Sequence, residues 1–110
     1  MFGLKHRDIE NIQKALNMFP NITAAIIFGS RAMGNYKSTS DIDIAVQLND
    51  KDPNTIIKLS GILNEELPIP FFVDVINVDT IKNKQLIEHI SNEGKKLPLK
   101  TDNLLTTHHH

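Results

Sequence analysis

The chain has 110 residues, no cysteine and a net charge of −1. One domain is the default at this length, and it can bury about two thirds of its extended-chain surface. The missing cysteines exclude disulfides and Cys-based zinc sites, and the balanced charge excludes a broad electrostatic footprint for nucleic acid.

Residues 7–19 read as an amphipathic helix, with Ile9, Ile12, Leu16 and Phe19 on one stripe and Pro20 and Asn21 to end it. Residues 23–28 are apolar and partly β-branched, as a buried strand requires. The run Ala24 to Phe28 is the longest apolar one and is far too short to span a bilayer. Ser30 is placed to cap one helical turn closed by Gly34, and 35–40 is a polar loop. Residues 41–48 form a second strand and 49–52 a turn. Asp52 followed by Pro53 then starts a helix whose apolar face is Ile56, Leu59, Leu63 and Leu67. Pro68 and Pro70 stop it, and 71–78 is a third strand. Asp79 or Thr80 is expected to cap a last helix carrying Ile81, Leu86, Ile87 and Ile90 and ending near Gly94.

If Ser30 and Asp41 are to face one site, the first two strands run antiparallel. Asp74, near the start of the third strand, then makes that strand parallel to the second. The expected fold is α+β: a mixed, three- to four-stranded sheet covered by helices. The domain is expected over 1–98, with a weakly ordered tail over 99–110. The terminal His108, His109 and His110 are read as a tag remnant, and His6 and His89 as isolated surface or helix-flank residues. The N-terminus has no apolar stretch of signal-peptide length, so the expected location is the cytoplasm.

The chemistry concentrates in a few positions. Asp41 and Asp43 are two apart on a strand, so they share a face with Cα atoms roughly 6.6 Å apart. Both can turn to a magnesium ion, which takes oxygen ligands. A solvated pair on an edge strand is the plain alternative. Asp74 interrupts an otherwise apolar strand, where a carboxylate is costly unless exposed, paired or bound to metal. Three carboxylates together repel, and divalent cations relieve that repulsion. Two such ions can hold a triphosphate and activate a hydroxyl. Gly29 allows close backbone approach to a phosphate, and Ser30 adds a hydroxyl and a turn of free N–H groups. Arg31 can reach a phosphate or lie on the surface, while Lys37 is read as solvated. Tyr36 can stack on a base or be merely half-buried. Gly29 and Gly34 have the spacing of a Walker A loop, but Asn35 and Tyr36 stand where that loop needs Lys and Ser or Thr, so the P-loop reading fails.

Phe28-Gly29-Ser30-Arg31-Ala32-Met33-Gly34, then Asp41-Ile42-Asp43, then Asp74 within 73–76 resembles the minimal nucleotidyltransferases. These are the smallest members of the DNA polymerase β-like nucleotidyltransferase superfamily, and the likeness runs from the first helix to Leu97. It implies that fold, with Gly29 and Ser30 on the nucleotide phosphates. It implies magnesium, two ions, on the catalytic Asp41, Asp43 and Asp74, with Asp74 helping to deprotonate the acceptor. Many relatives carry a second Arg where this chain has Met33, which removes one phosphate contact. The resemblance further implies an antitoxin that transfers AMP from ATP to a tyrosine of a HEPN-domain toxin. The alternatives are neutralisation by binding alone, or nucleotidyl transfer to a small molecule.

Overall fold

A computed structural model of the protein describes residues 2–99. The first helix, α1 (His6–Leu16), leads to strand β1 (Ile22–Phe28) and the one-turn helix α2 (Ser30–Met33). Strand β2 (Ile42–Leu48) follows, then α3 (Asn54–Gly61), which continues as a π-helical turn over Ile62–Glu66. Strand β3 (Val73–Asn77) passes through a 3-10 turn at Val78–Thr80 into α4 (Lys84–Glu93) and the two-residue strand β4 (Lys95–Lys96).

The four strands form one mixed sheet in the order β3-β2-β1-β4. β1 and β2 are antiparallel, and β2 and β3 are parallel, as the facing requirement on Ser30, Asp41 and Asp74 predicts. The fourth strand pairs antiparallel with β1 through Ile26–Lys96 and Ile27–Lys95.

Strand alternation divides the side chains between two unequal layers. On one face Ala25, Ile27, Ile42, Ile44, Val46, Val73 and Val75 meet Ile12, Ala15 and Leu16 of α1 and Leu59 and Leu63 of the α3 segment. On the other face α4 covers a much smaller cluster, where Ile90 and Leu86 pack on Phe28, Ala45, Ile26 and Ile76. Asp43 and Asp74 alternate onto this second face.

Several local expectations change. Asn83, not Asp79 or Thr80, caps α4: its Oδ1 accepts from the N–H groups of Gln85 and Leu86 at 2.9 and 3.2 Å. Residues 78–80 instead form their own turn, in which Asn77 Oδ1 accepts from the Asp79 N–H. Asp52 Oδ1 accepts from the Asn54 N–H at 2.9 Å, so the helix begins one residue beyond Pro53. Ser30 is the first helical residue rather than the cap, a place taken by Gly29, while Gly34 closes the turn in the left-handed region. Leu97 and Leu99 are buried in the main core, and the Leu97 N–H donates to the Ala25 carbonyl at 2.8 Å. Residues 100–110, with the three terminal histidines, lie outside the described residues. No helix among the described residues is long and apolar enough to cross a membrane.

Candidate active site

Three chain segments arrive at one end of the second face. β1 ends at Phe28, and the register pairs Phe28 with Asp43. β2 then pairs Asp43 with Asp74 on its other side. Phe28, Asp43 and Asp74 therefore stand in one row across three strands, with the Gly29 turn at the end of that row. Asp41 precedes β2 by one residue and is exposed, as is Asp74, whereas Asp43 is half-buried. The sheet thus brings Gly29, Ser30, Asp41, Asp43 and Asp74 to a common edge.

Asp43 is the electrostatic centre of this row. Burial raises the pKa of its carboxyl above the ordinary value, and the charges of Asp74 and then Asp41 add to the rise, while His89 opposes it. The donor set is what a hard divalent cation takes: carboxylate oxygens already repelling one another. Among the described residues, no three carboxylate or imidazole side chains already close on one point as a metal cage. The fit therefore lies in donor type and strand register.

Gly29 has a specific reason to be glycine. Its backbone lies at φ 74°, ψ −155°, which side chains other than glycine's essentially avoid. A Cβ added there would also clash with Asp43 Oδ2. A side chain at 29 would therefore make the Asp43 carboxylate turn away.

Arg31, read as reaching a phosphate or lying on the surface, is instead buried and turned to the main chain. It is 2% exposed, and its guanidinium is spent on main-chain carbonyls. Nε donates to Ser40 O at 3.0 Å, Nη1 to Phe2 O at 2.9 Å and Nη2 to Ser40 O at 2.8 Å. Its flat faces lie against the rings of Tyr36 and Phe71, with 5.2 and 4.5 Å to the centroids. Arg31 thus ties down the 35–40 loop and fixes the residue before Asp41. Tyr36, considered as a base-stacking group, is used as part of this clamp. Its ring also sits so close to Gly3 that a Cβ there would clash.

Two residues enter the site that sequence reasoning did not select. The first is Asn64, on the π-helical turn. Its Oδ1 accepts from the Val73 N–H at 2.7 Å and its Nδ2 donates to the Val73 carbonyl at 2.8 Å. One side-chain amide therefore pairs with the open edge of β3 immediately before Asp74. The second is His89. The Gly29 N–H donates to its Nε2 at 2.8 Å, and its ring meets Phe28 edge-on, with centroids 6.1 Å apart. Helical spacing carried the signal, because position 89 is three past Leu86 and next to Ile90, hence on the inner side of α4.

A groove of about 670 Å³ lies at the far end of β3, where Ile56 and Ile57 of α3 face Val75 and Ile76. None of the three aspartates lines it.

The fold has known relatives. The sequence profile of the polymerase beta nucleotidyltransferase family matches residues 10–103. A chain of a toxin–antitoxin complex solved with AMP-PNP superposes with a TM-score of 0.66 at 25% identity, over 92% of this chain and 80% of that one. A chain of the Shewanella oneidensis complex between a tri-AMPylated HEPN toxin and an MNT antitoxin gives 0.66 at 24% identity, over 93% and 79%. An MntA–HepT toxin–antitoxin complex gives 0.64 at 24%, over 91% and 79%. The last two establish likeness of fold. No curated protein matches the sequence.

Proposed function

The chain belongs to the polymerase beta nucleotidyltransferase family, and on that footing we propose that it transfers AMP from ATP to a tyrosine of a HEPN-domain toxin and thereby acts as its antitoxin. The observation that carries this reading is the row Phe28–Asp43–Asp74 ending at the Gly29 turn. It sets two carboxylates, with Asp41 just before β2 as a third, beside a backbone turn that carries no side chain. The fold relatives are found with AMP-PNP in one case and with a tri-AMPylated HEPN toxin in another, which supports both the nucleotide and the acceptor.

In this reading Gly29 and Ser30 grip the phosphates, and Asp41, Asp43 and Asp74 hold magnesium. The metal supplies positive charge to the triphosphate and to the repelling carboxylates. The tyrosine oxygen bonds to the α-phosphorus of ATP, the bond from that phosphorus to the bridging oxygen breaks, and pyrophosphate leaves. Asp74, exposed at the strand edge, takes the tyrosine proton. Because Asp41 and Asp74 face solvent, the acceptor approaches from outside the domain. A toxin side chain meets that requirement without a second domain.

The test is incubation with labelled ATP, Mg²⁺ and a HEPN-domain toxin. The partner is expected to become labelled on tyrosine, and Asp41→Ala combined with Asp43→Ala to abolish the label. Label transfer unchanged in the double variant would overturn the proposed site. Full protection from the toxin by the double variant would favour neutralisation by binding alone.

A further inference from the structure

We propose that His89 is a positioning residue for nucleotide binding: its Nε2 holds the Gly29 N–H and so keeps the turn that carries Ser30 in its phosphate-facing shape. The inference rests on the reading of Gly29 and Ser30 as the phosphate grip. It begins from a conflict within the turn. The backbone at φ 74° calls for glycine at position 29, and a Cβ there would also strike Asp43 Oδ2. Glycine is also the residue with the most conformational freedom to lose. The turn that most needs to be stiff is therefore built on the most pliable residue.

No side chain from α2 itself relieves this, since its N-terminus has no capping hydrogen bond. The stabilising partner comes instead from 60 residues away, where His89 Nε2 accepts from the Gly29 N–H at 2.8 Å. In this geometry the lone pair of Nε2 is the acceptor. The ring is itself confined. It packs edge-on to Phe28 at an interplanar angle of 74°, and Phe28 is the register partner of Asp43. Leu86 and Ile90, on the same side of α4, are anchored in the small core of the second face. The chain of support runs from that core, through α4 and the imidazole, to the turn. This is preorganisation of a binding loop by a group that need not touch the ligand.

Loss of one such hydrogen bond is expected to weaken nucleotide binding about three- to tenfold. The experiment compares the whole protein with His89→Gln and His89→Phe. Titration calorimetry with AMP-PNP and Mg²⁺ gives Kd, and the transfer reaction gives KM for ATP and kcat. Gln can place Oε1 where Nε2 lies and accept from Gly29. Phe keeps the ring against Phe28 but cannot accept. The expected result is a three- to tenfold rise in Kd and KM for His89→Phe with kcat changed less than twofold, and recovery toward wild type in His89→Gln. A purely packing role gives the reverse order. Thermal melts confirm folding, and His89→Ala replaces His89→Phe if the latter does not fold. Equal Kd for wild type and a folded non-accepting variant overturns the inference, as does equal weakening by Gln and Phe. A wild-type protein that does not bind AMP-PNP overturns the nucleotide-transfer reading itself, and the inference with it.

Discussion

Gly29→Ala tests the contact on which the site is built. Two costs arise from the structure. The backbone at φ 74°, ψ −155° lies in a region that is essentially glycine-only, worth about 1–3 kcal/mol for another residue. The new Cβ then clashes with Asp43 Oδ2 and lies 3.3 Å from its Cγ, so the carboxylate must turn away. Driving a side chain off its rotamer adds about 0.5–1.5 kcal/mol. The sum, about 2–4 kcal/mol, is a large share of the roughly 5–15 kcal/mol that holds a domain together. Urea unfolding in metal-free buffer measures it. The decisive arm is the same substitution in an Asp43→Ala background. There the nearest remaining atom is Asp43 Cβ, at an ordinary 3.6 Å, so only the backbone cost should survive. The two costs should therefore differ by about 1 kcal/mol, the coupling between the positions. Equal costs in both backgrounds would falsify the claim that Asp43 excludes a side chain at 29.

Three further outcomes follow from other parts of the site. Asp43→Asn is expected to stabilise the metal-free protein at neutral pH. The raised carboxyl pKa means that stability is fully present below the ordinary value of 3.8 and is lost as pH rises through the folded-state value. Melting temperatures in EDTA should match at pH 3.5 and favour the variant at pH 7, with Mg²⁺ reversing the order; a variant less stable than wild type at pH 7 in EDTA counts against it. Arg31→Met removes the donors to Phe2 and Ser40 and should cost about 3 kcal/mol or more in urea unfolding. A loss under about 1 kcal/mol together with weaker ATP binding would return Arg31 to the phosphates. Leu97→Ala should cost about 2–5 kcal/mol, as for a core leucine, and a loss below about 1 kcal/mol would mean that the chain after β4 is not part of the core.

The parts of the site that could be read in advance are those governed by local periodicity. Asp41 and Asp43 share a face because strands alternate, and Asp74 announced itself as a charge inside an apolar strand. From these positions the antiparallel and parallel pairings followed, because only one arrangement brings all three to one edge. What escaped depends on contacts distant in sequence. β4 is two lysines, with no apolar alternation to mark it, and exists because its backbone completes the edge of β1. Arg31 looks like a phosphate ligand beside a glycine turn, yet Phe71 and Tyr36 enclose it and three carbonyls claim its donors. Asn83 prevailed over two good capping residues because the chain first spends 78–80 on a separate turn. His89 was half legible: its spacing placed it on the inner side of α4, but nothing in the sequence pairs it with Gly29.

The unequal faces of the sheet account for where chemistry is possible. The face covered by α1 and α3 is apolar along the whole length of β2, from Ile42 to Leu48. The face under α4 closes over only a few residues around Phe28, Ala45 and Ile90, and its remaining end is left to the carboxylates. A helix long enough to cover that end would have buried Asp43 and Asp74 against each other, with a desolvation cost that like charges only increase. Partial cover gives a different balance. Asp43 is sheltered enough to have a raised pKa, while Asp41 and Asp74 stay in water. The half-covered end therefore combines mutual repulsion among carboxylates, which a cation would relieve, with exposure to solvent.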